Sequence, residues 1–146
     1  MPAKYKLVLR KDMRKDAAEG SKLYYASANT TGTCDVYELC DLISAQSTAL
    51  SGDVKLILDE LVNVMRRNLG KGEVVKVGEL GSFQLQFGST GTVTEKEFNQ
   101  VLIKSRRIVF RPGKLLKEAV KNYTFEKIAS GAPDEGGGED DRPGEL

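Results

Sequence analysis

Six cations fall within fourteen residues late in the chain: Lys104, Arg106, Arg107, Arg111, Lys114 and Lys117. Ammonium and guanidinium groups present donors and positive charge, and phosphate oxygens are their natural partners. Lys114 adds a second feature. It follows Pro112-Gly113 and opens a helical pattern, so it stands where free backbone N–H groups also attract an anion. A cation there opposes the helix dipole, and an anionic partner is a physical motive for it. Lys96 is a seventh candidate, set between Glu95 and Glu97.

Other chemistries have little to work with. The 146 residues include no histidine, which removes the commonest general base and nucleophile activator. The two cysteines, Cys34 and Cys40, form no CxxC pair and supply too few soft ligands for a zinc site. No catalytic residue, metal, cofactor or small-molecule substrate is expected. A Cys34–Cys40 disulfide stays open, but Cys40 falls inside a helical pattern and buried free thiols are the expectation.

The formal net charge of +1 conceals a division. Residues 130–146 hold six acids against Arg142, which leaves 21 basic and 15 acidic residues before them, a net of +6. A basic body with an acidic tail points to a polyanion partner. No apolar run approaches the ~18 residues that span a bilayer, and the first residues carry no apolar signal core. A soluble, cytoplasmic protein with no membrane partner is expected.

The elements that must position these cations follow from periodicity. Tyr5–Arg10 and Leu23–Ala26 are β-prone, separated by a charged loop from Lys11 to Ser21. They suggest a hairpin or an addition to the edge of the main sheet. Thr33 or Asp35 caps a first helix whose stripe is Val36, Leu39, Cys40, Leu42 and Ile43. Ser51 caps a second, in which Val54, Ile57, Leu58, Leu61, Val62, Met65 and Leu69 make two apolar edges and Gly70 ends the run. So wide an apolar surface on so small a body favours a homodimer with this helix near a shared core.

Gly72–Val77 reads as a strand, Gly78–Gly81 as a turn, and Ser82–Phe87 as a returning strand with Phe83, Leu85 and Phe87 on one face. Val101–Arg111 is a third strand. Strict alternation puts Lys104, Arg106 and Ile108 on the side of Phe110, leaving Arg107 and Arg111 as the outward phosphate pair. Lys114–Lys121 is a short amphipathic helix, after which Tyr123 and Phe125 fold back onto the body. Thr94–Glu97 has capping-box spacing, so Glu95–Gln100 can form a short helix. Beyond about Ser130 the Gly/Asp/Glu-rich composition predicts disorder.

Two motifs carry a family resemblance: Gly78-x-x-Gly81-Ser82-Phe83, and Phe110-Arg111-Pro112-Gly113-Lys114-x-x-Lys117-Glu118-Ala119-Val120. With Leu39, Ile43, Ala45 and the Leu50-Ser51 helix start, they resemble the bacterial histone-like HU and integration host factor family over roughly residues 35–121. The resemblance implies an α+β fold: a two-helix base, a three-stranded antiparallel sheet extended into arms, a short C-terminal helix, and an intertwined homodimer. It also implies double-stranded DNA as partner in the bacterial nucleoid, gripped by phosphate contacts and bent by prolines at the arm tips. Family arms carry Arg-Asn-Pro; the stretch Phe87–Leu102 has neither proline nor arginine, and Lys96 is its only base. The expected organisation is an extension (1–34), an HU-like domain (35–129) and an acidic glycine-rich tail (130–146). The expected function is sequence-tolerant architectural DNA binding. The alternative is a dimeric interaction protein that has lost the bending arm.

Overall fold

A computed structural model describes residues 1–129, which fold as two units. In chain order the elements are β1 (Ala3–Lys11), β2 (Lys22–Asn29), α1 (Val36–Ala45), α2 (Ser51–Gly70), β3 (Val75–Val77), β4 (Gly81–Ser89), β5 (Ile103–Pro112), α3 (Lys114–Lys121) and β6 (Phe125–Lys127). The expectation of disorder from residue 130 lies outside the described residues.

The first unit takes residues 1–33 and the described residues from 120 onward. Strands β1 and β2 form an antiparallel hairpin from Lys4↔Asn29 to Lys11↔Lys22, and β6 adds in parallel, from Ala3↔Phe125 to Tyr5↔Lys127. Of the two arrangements the β-prone runs allow, the hairpin is the one found, in a sheet of its own ordered β2-β1-β6. The chain at Phe125 folds back as expected, and the strand that receives it is β1. Phe125 opens β6, and both rings are more than half exposed. Lys4 and Glu126 pair across β1 and β6.

The hairpin's long loop is tied at its base. Asp12 N–H donates to the Ser21 carbonyl at 2.9 Å. The buried Asp12 carboxylate accepts from the Arg14 guanidinium at 2.6 Å and from its backbone N–H at 3.0 Å. These donors hold the Asp12 carboxyl below its usual pKa, and the carboxylate in turn raises that of Arg14.

The second unit spans 34–119. Asp35 caps α1 by accepting from Glu38 N–H at 2.9 Å. Cys40 is fully buried, whereas Cys34 is exposed, which corrects the expectation of two buried thiols. Ser51 does not cap α2. It lies inside the first turn and its hydroxyl donates to Asp41 of α1 at 2.9 Å, while Asp53 reaches back to Leu50 N–H at 3.4 Å. At the far end Gly70 is still helical and Gly72 takes the positive φ of 84°. Gly72 N–H returns to the Leu69 carbonyl and Glu73 N–H to that of Asn68, a Schellman closure two residues later than expected.

Helix α2 lies against β3 and β4 in a second sheet ordered β3-β4-β5 and antiparallel throughout. Strand β3 is shorter than expected, and β5 begins at Ile103 because Gln100–Leu102 is a 3-10 turn capped by the Asn99 side chain. The expected helix over 95–100 is instead a 3-10 turn at Glu95–Glu97 followed by that second one.

What pins this sheet is a backbone-to-backbone meeting. Gly78–Leu80 forms a 3-10 turn between β3 and β4, and Gly113 N–H donates to the Leu80 carbonyl at 3.0 Å. A Cβ on Gly113 would lie 2.1 Å from the Glu79 carbonyl oxygen, and one on Gly81 would lie 2.2 Å from that of Arg111. Gly81 also has φ 138°, a conformation closed to most L-residues. Beside the lock, Phe83 and Phe110 pack with ring centroids 4.9 Å apart.

Replacing Gly81 by alanine combines a clash with a forbidden φ, so Gly81→Ala is expected to destabilise the second unit by at least about 1–3 kcal/mol. Denaturant titration checks this, and an unchanged midpoint contradicts it. The Asp12–Arg14 contact should be pH-dependent in a definite sense. A depressed carboxyl pKa contributes stability that is complete above the unfolded value of 3.8 and lost as pH falls through the lowered folded value. Amide exchange in residues 12–21 should therefore be faster in Asp12→Asn than in the parent near neutrality, with the gap closing in acid. A pH-independent gap counts against the ion pair.

Candidate nucleic-acid interface

Register decides which side chains share a face. In β4 and β5 the pairs run Ser82↔Arg111, Phe83↔Phe110, Gln84↔Val109, Leu85↔Ile108 and Gln86↔Arg107, then skip to Gly88↔Lys104. Between the last two pairs β4 spends one residue, Phe87, and β5 spends two, Ser105 and Arg106. This is a β-bulge, and Ser105 carries its mark, a φ of 54° and the only positive φ outside glycine among the described residues.

The bulge reverses the parity of β5. Lys104 therefore shares a face with Arg107 and Arg111, not with Phe110 as strict alternation implied. Ile103 moves to the apolar face with Leu85, Ile108 and Phe110. Arg106 lies within the bulge opposite Phe87, outside both regular rows. The outward pair Arg107 and Arg111 stands as expected, four residues and so about 13 Å apart along the strand.

Strand β3 contributes a cation that the sequence reading passed over. Lys76 pairs with Ser82, which pairs with Arg111, so Lys76, Ser82 and Arg111 form one row across the three strands. The signal was available, since Lys76 stands between Val75 and Val77 in an alternating run. Lys76, Lys104, Arg107 and Arg111 are all exposed. The other members of their face are Ser82, Gln84, Gln86, Gly88 and Val109, so four positive charges face no carboxylate from their own sheet. Arg107 is steadied by Gln86, Nη2 to Oε1 at 3.4 Å.

Lys114 opens α3 directly after the Gly113 lock, so the lock positions it at the end of β5. Its ammonium is 3.9 Å from Glu118 of the same helix and more than four-fifths exposed, which leaves it available to another anion. Lys117 is exposed one turn on. Lys96 lies in the Glu95–Glu97 turn between two acids, so its local field is not cationic. The structure thus groups Lys104, Arg107, Arg111 and newly Lys76, carries Lys114 and Lys117 beside them in sequence, and sets Arg106 and Lys96 apart.

The described residues offer no metal centre or enclosed pocket beside this face. No group of three potential metal ligands occurs among the described residues. A groove of about 530 Å³ is lined by Glu60, Asn63, Arg66 and Arg67, all from one helix, and presents no converging polar groups. No described helix is long and apolar enough to cross a membrane.

Comparison with known proteins bears on the family and the fold. A family described as "HU domain fused to wHTH, Ig, or Glycine-rich motif" (HU-HIG) matches residues 1–127. The DNA-binding protein HU of Thermotoga maritima is 36% identical over 86 residues, 58% of this chain and 96% of that protein. Among solved structures, a Bacteroides vulgatus protein designated a candidate bacterial DNA-binding protein superposes with a TM-score of 0.59 at 21% identity. That superposition covers 86% of this chain, which spans about half (48%) of the other, and it shows a shared fold. An HU mutant of Thermotoga maritima gives a TM-score of 0.40 at 31% identity, over 57% of this chain and 93% of that one. Because the family match runs through both units, and is not confined to the pinned sheet, the chain belongs to the HU-HIG family.

Proposed function

We propose that this protein is a non-enzymatic architectural DNA-binding protein of the bacterial nucleoid that holds duplex phosphates without reading bases. The observation that carries the reading is the carboxylate-free face with Lys76, Lys104, Arg107 and Arg111, adjoined in sequence by Lys114 at a helix start. Such a surface matches a phosphate backbone, whose contacts fix position without carrying sequence information. The HU relative, a DNA-binding protein by name, supports the same partner.

The active form in this proposal is a homodimer. Among the described residues only Cys40, Val54 and Leu69 are buried apolar side chains, and only Cys40 is fully so. Leu56, Ile57 and Val62 on α2 and Leu39, Leu42 and Ile43 on α1 remain exposed, too much apolar surface for a free monomer. A second copy laid against these helices covers it. The 130–146 segment in this scheme is an acidic appendage, and residues 1–34 contribute most of a separate sheet that β6 completes.

A second reading has one observation in its favour. Between β4 and β5 the chain makes two 3-10 turns, with no proline and with Lys96 as the only base. A protein so built keeps the fold and serves as a dimeric interaction module. The two readings part in a salt titration. If four phosphates are engaged per protomer, eight per dimer, log affinity of the dimer for random duplex falls with log salt at a slope of about −7. No duplex binding at about 50 mM salt favours the interaction module instead. On the first reading, Arg111→Glu with Lys114→Glu lowers affinity about tenfold or more, equally across unrelated sequences. A folded double variant that still binds refutes that assignment. Bending should be weak, since nothing proline-like stands at the arm; strong compaction of a long duplex in a single-molecule assay contradicts this.

A further inference from the structure

The hairpin of the first unit has an end whose chemistry duplex binding leaves unused. Leu9 pairs with Tyr24, and two residues further along the same face Lys11 pairs with Lys22. Tyr24 is 71% exposed. Both lysines are exposed, and neither has an ion pair among the described residues. The adjacent acid, Asp12, is taken by Arg14. Like charges placed directly opposite in a ladder oppose the pairing that holds them. Here that repulsion stands about 7 Å, one same-face step, from an open aromatic ring.

We propose that this end of the N-terminal sheet binds a single strand of nucleic acid. An unpaired base stacks on Tyr24, and the neighbouring phosphate sits between Lys11 and Lys22. Each feature selects part of the occupant. The lysine pair requires an anion, which relieves its repulsion. The exposed ring, with the half-exposed Leu9 beside it, requires a flat apolar face. A duplex offers the phosphate but keeps its base faces stacked inside, whereas a single strand offers both groups in succession. A second copy of this chain fits poorly, because it would bring another lysine pair against the first. The site shares no residue with the face of β3, β4 and β5, so it stands whether or not that face binds duplex.

The test is a pair of titrations on the full chain at one low salt concentration, against labelled oligothymidylate and against a blunt duplex. The parent should bind oligothymidylate. Tyr24→Ala should weaken that binding about tenfold or more, and Tyr24→Phe, which keeps the ring, should retain it. Lys11→Gln with Lys22→Gln should weaken it and flatten its salt dependence. None of these should alter duplex binding, which Arg111→Glu with Lys114→Glu tests separately. The proposal fails if the parent ignores oligothymidylate, if Tyr24→Ala binds it like the parent, or if Tyr24→Phe loses as much as Tyr24→Ala. It fails equally if the variants change the mass in solution and leave oligothymidylate binding alone, which marks a contact between copies. Circular dichroism of each variant separates loss of binding from loss of fold.

Discussion

The second unit depends on two stretches of backbone being able to touch. Gly113 donates to the Leu80 carbonyl, and neither Gly81 nor Gly113 has room for a Cβ. The contact joins the turn that opens β4 to the junction that ends β5 and starts α3. Once it is made, Gly81 faces Pro112, Phe83 faces Phe110, and the register of the ladder has no freedom left near the lock. The position of Lys114 follows, because helix α3 begins one residue past the lock. Geometry set by residues without side chains thereby places those that carry charge.

Register held at one end makes the bulge at the other consequential. With a single extra residue in β5, the row that reads as mixed in the sequence becomes segregated, cations on one side and Ile103, Ile108 and Phe110 on the other. The sheet is amphipathic because Ser105 takes a conformation that serine seldom adopts. This marks the boundary of what was legible. The glycine pair, the aromatic alternation in β4, the Asp35 cap and the element order are local or evenly spaced, and residue types announce them. The bulge is a property of two strands together, and nothing in Lys104-Ser105-Arg106 states it. Ser51 and Gly70 were misplaced for a related reason. Each has the right type for a helix end, but the contact with Asp41 and the closure at Gly72 decided where the ends fell. Lys76 was legible and passed over, since a lone lysine in a short strand joins a row only when the third strand is laid beside it.

Apolar surface tells the same story in both units. A sheet needs something on its greasy side, and the described residues bury very little completely. In the second unit the uncovered area belongs largely to α1 and α2, which suits a like helix pair. In the first unit Leu7, Leu9 and Tyr24 share an exposed face, and lysines stand at its loop end. The difference in charge separates the two surfaces, since a dry contact between copies disfavours unpaired ammonium groups and a polyanion recruits them.

Net charge is therefore a poor guide to what this chain attracts. At physiological ionic strength the field of a surface charge fades over about 8 Å. Lys104 and Arg107 stand in neighbouring rows, one same-face step apart, so their potentials reinforce each other, while Arg111 lies about 13 Å from Arg107 and adds less. The six acids of residues 130–146, with Arg142, bring the +6 of the preceding body down to +1 on paper. They oppose it in solution only where they approach the face to within that same length. A phosphate backbone, by contrast, presents its charges at a spacing that several rows meet at once. On the proposed function, segregation by the bulge, more than the count of lysines and arginines, is what suits the sheet to a polyanion.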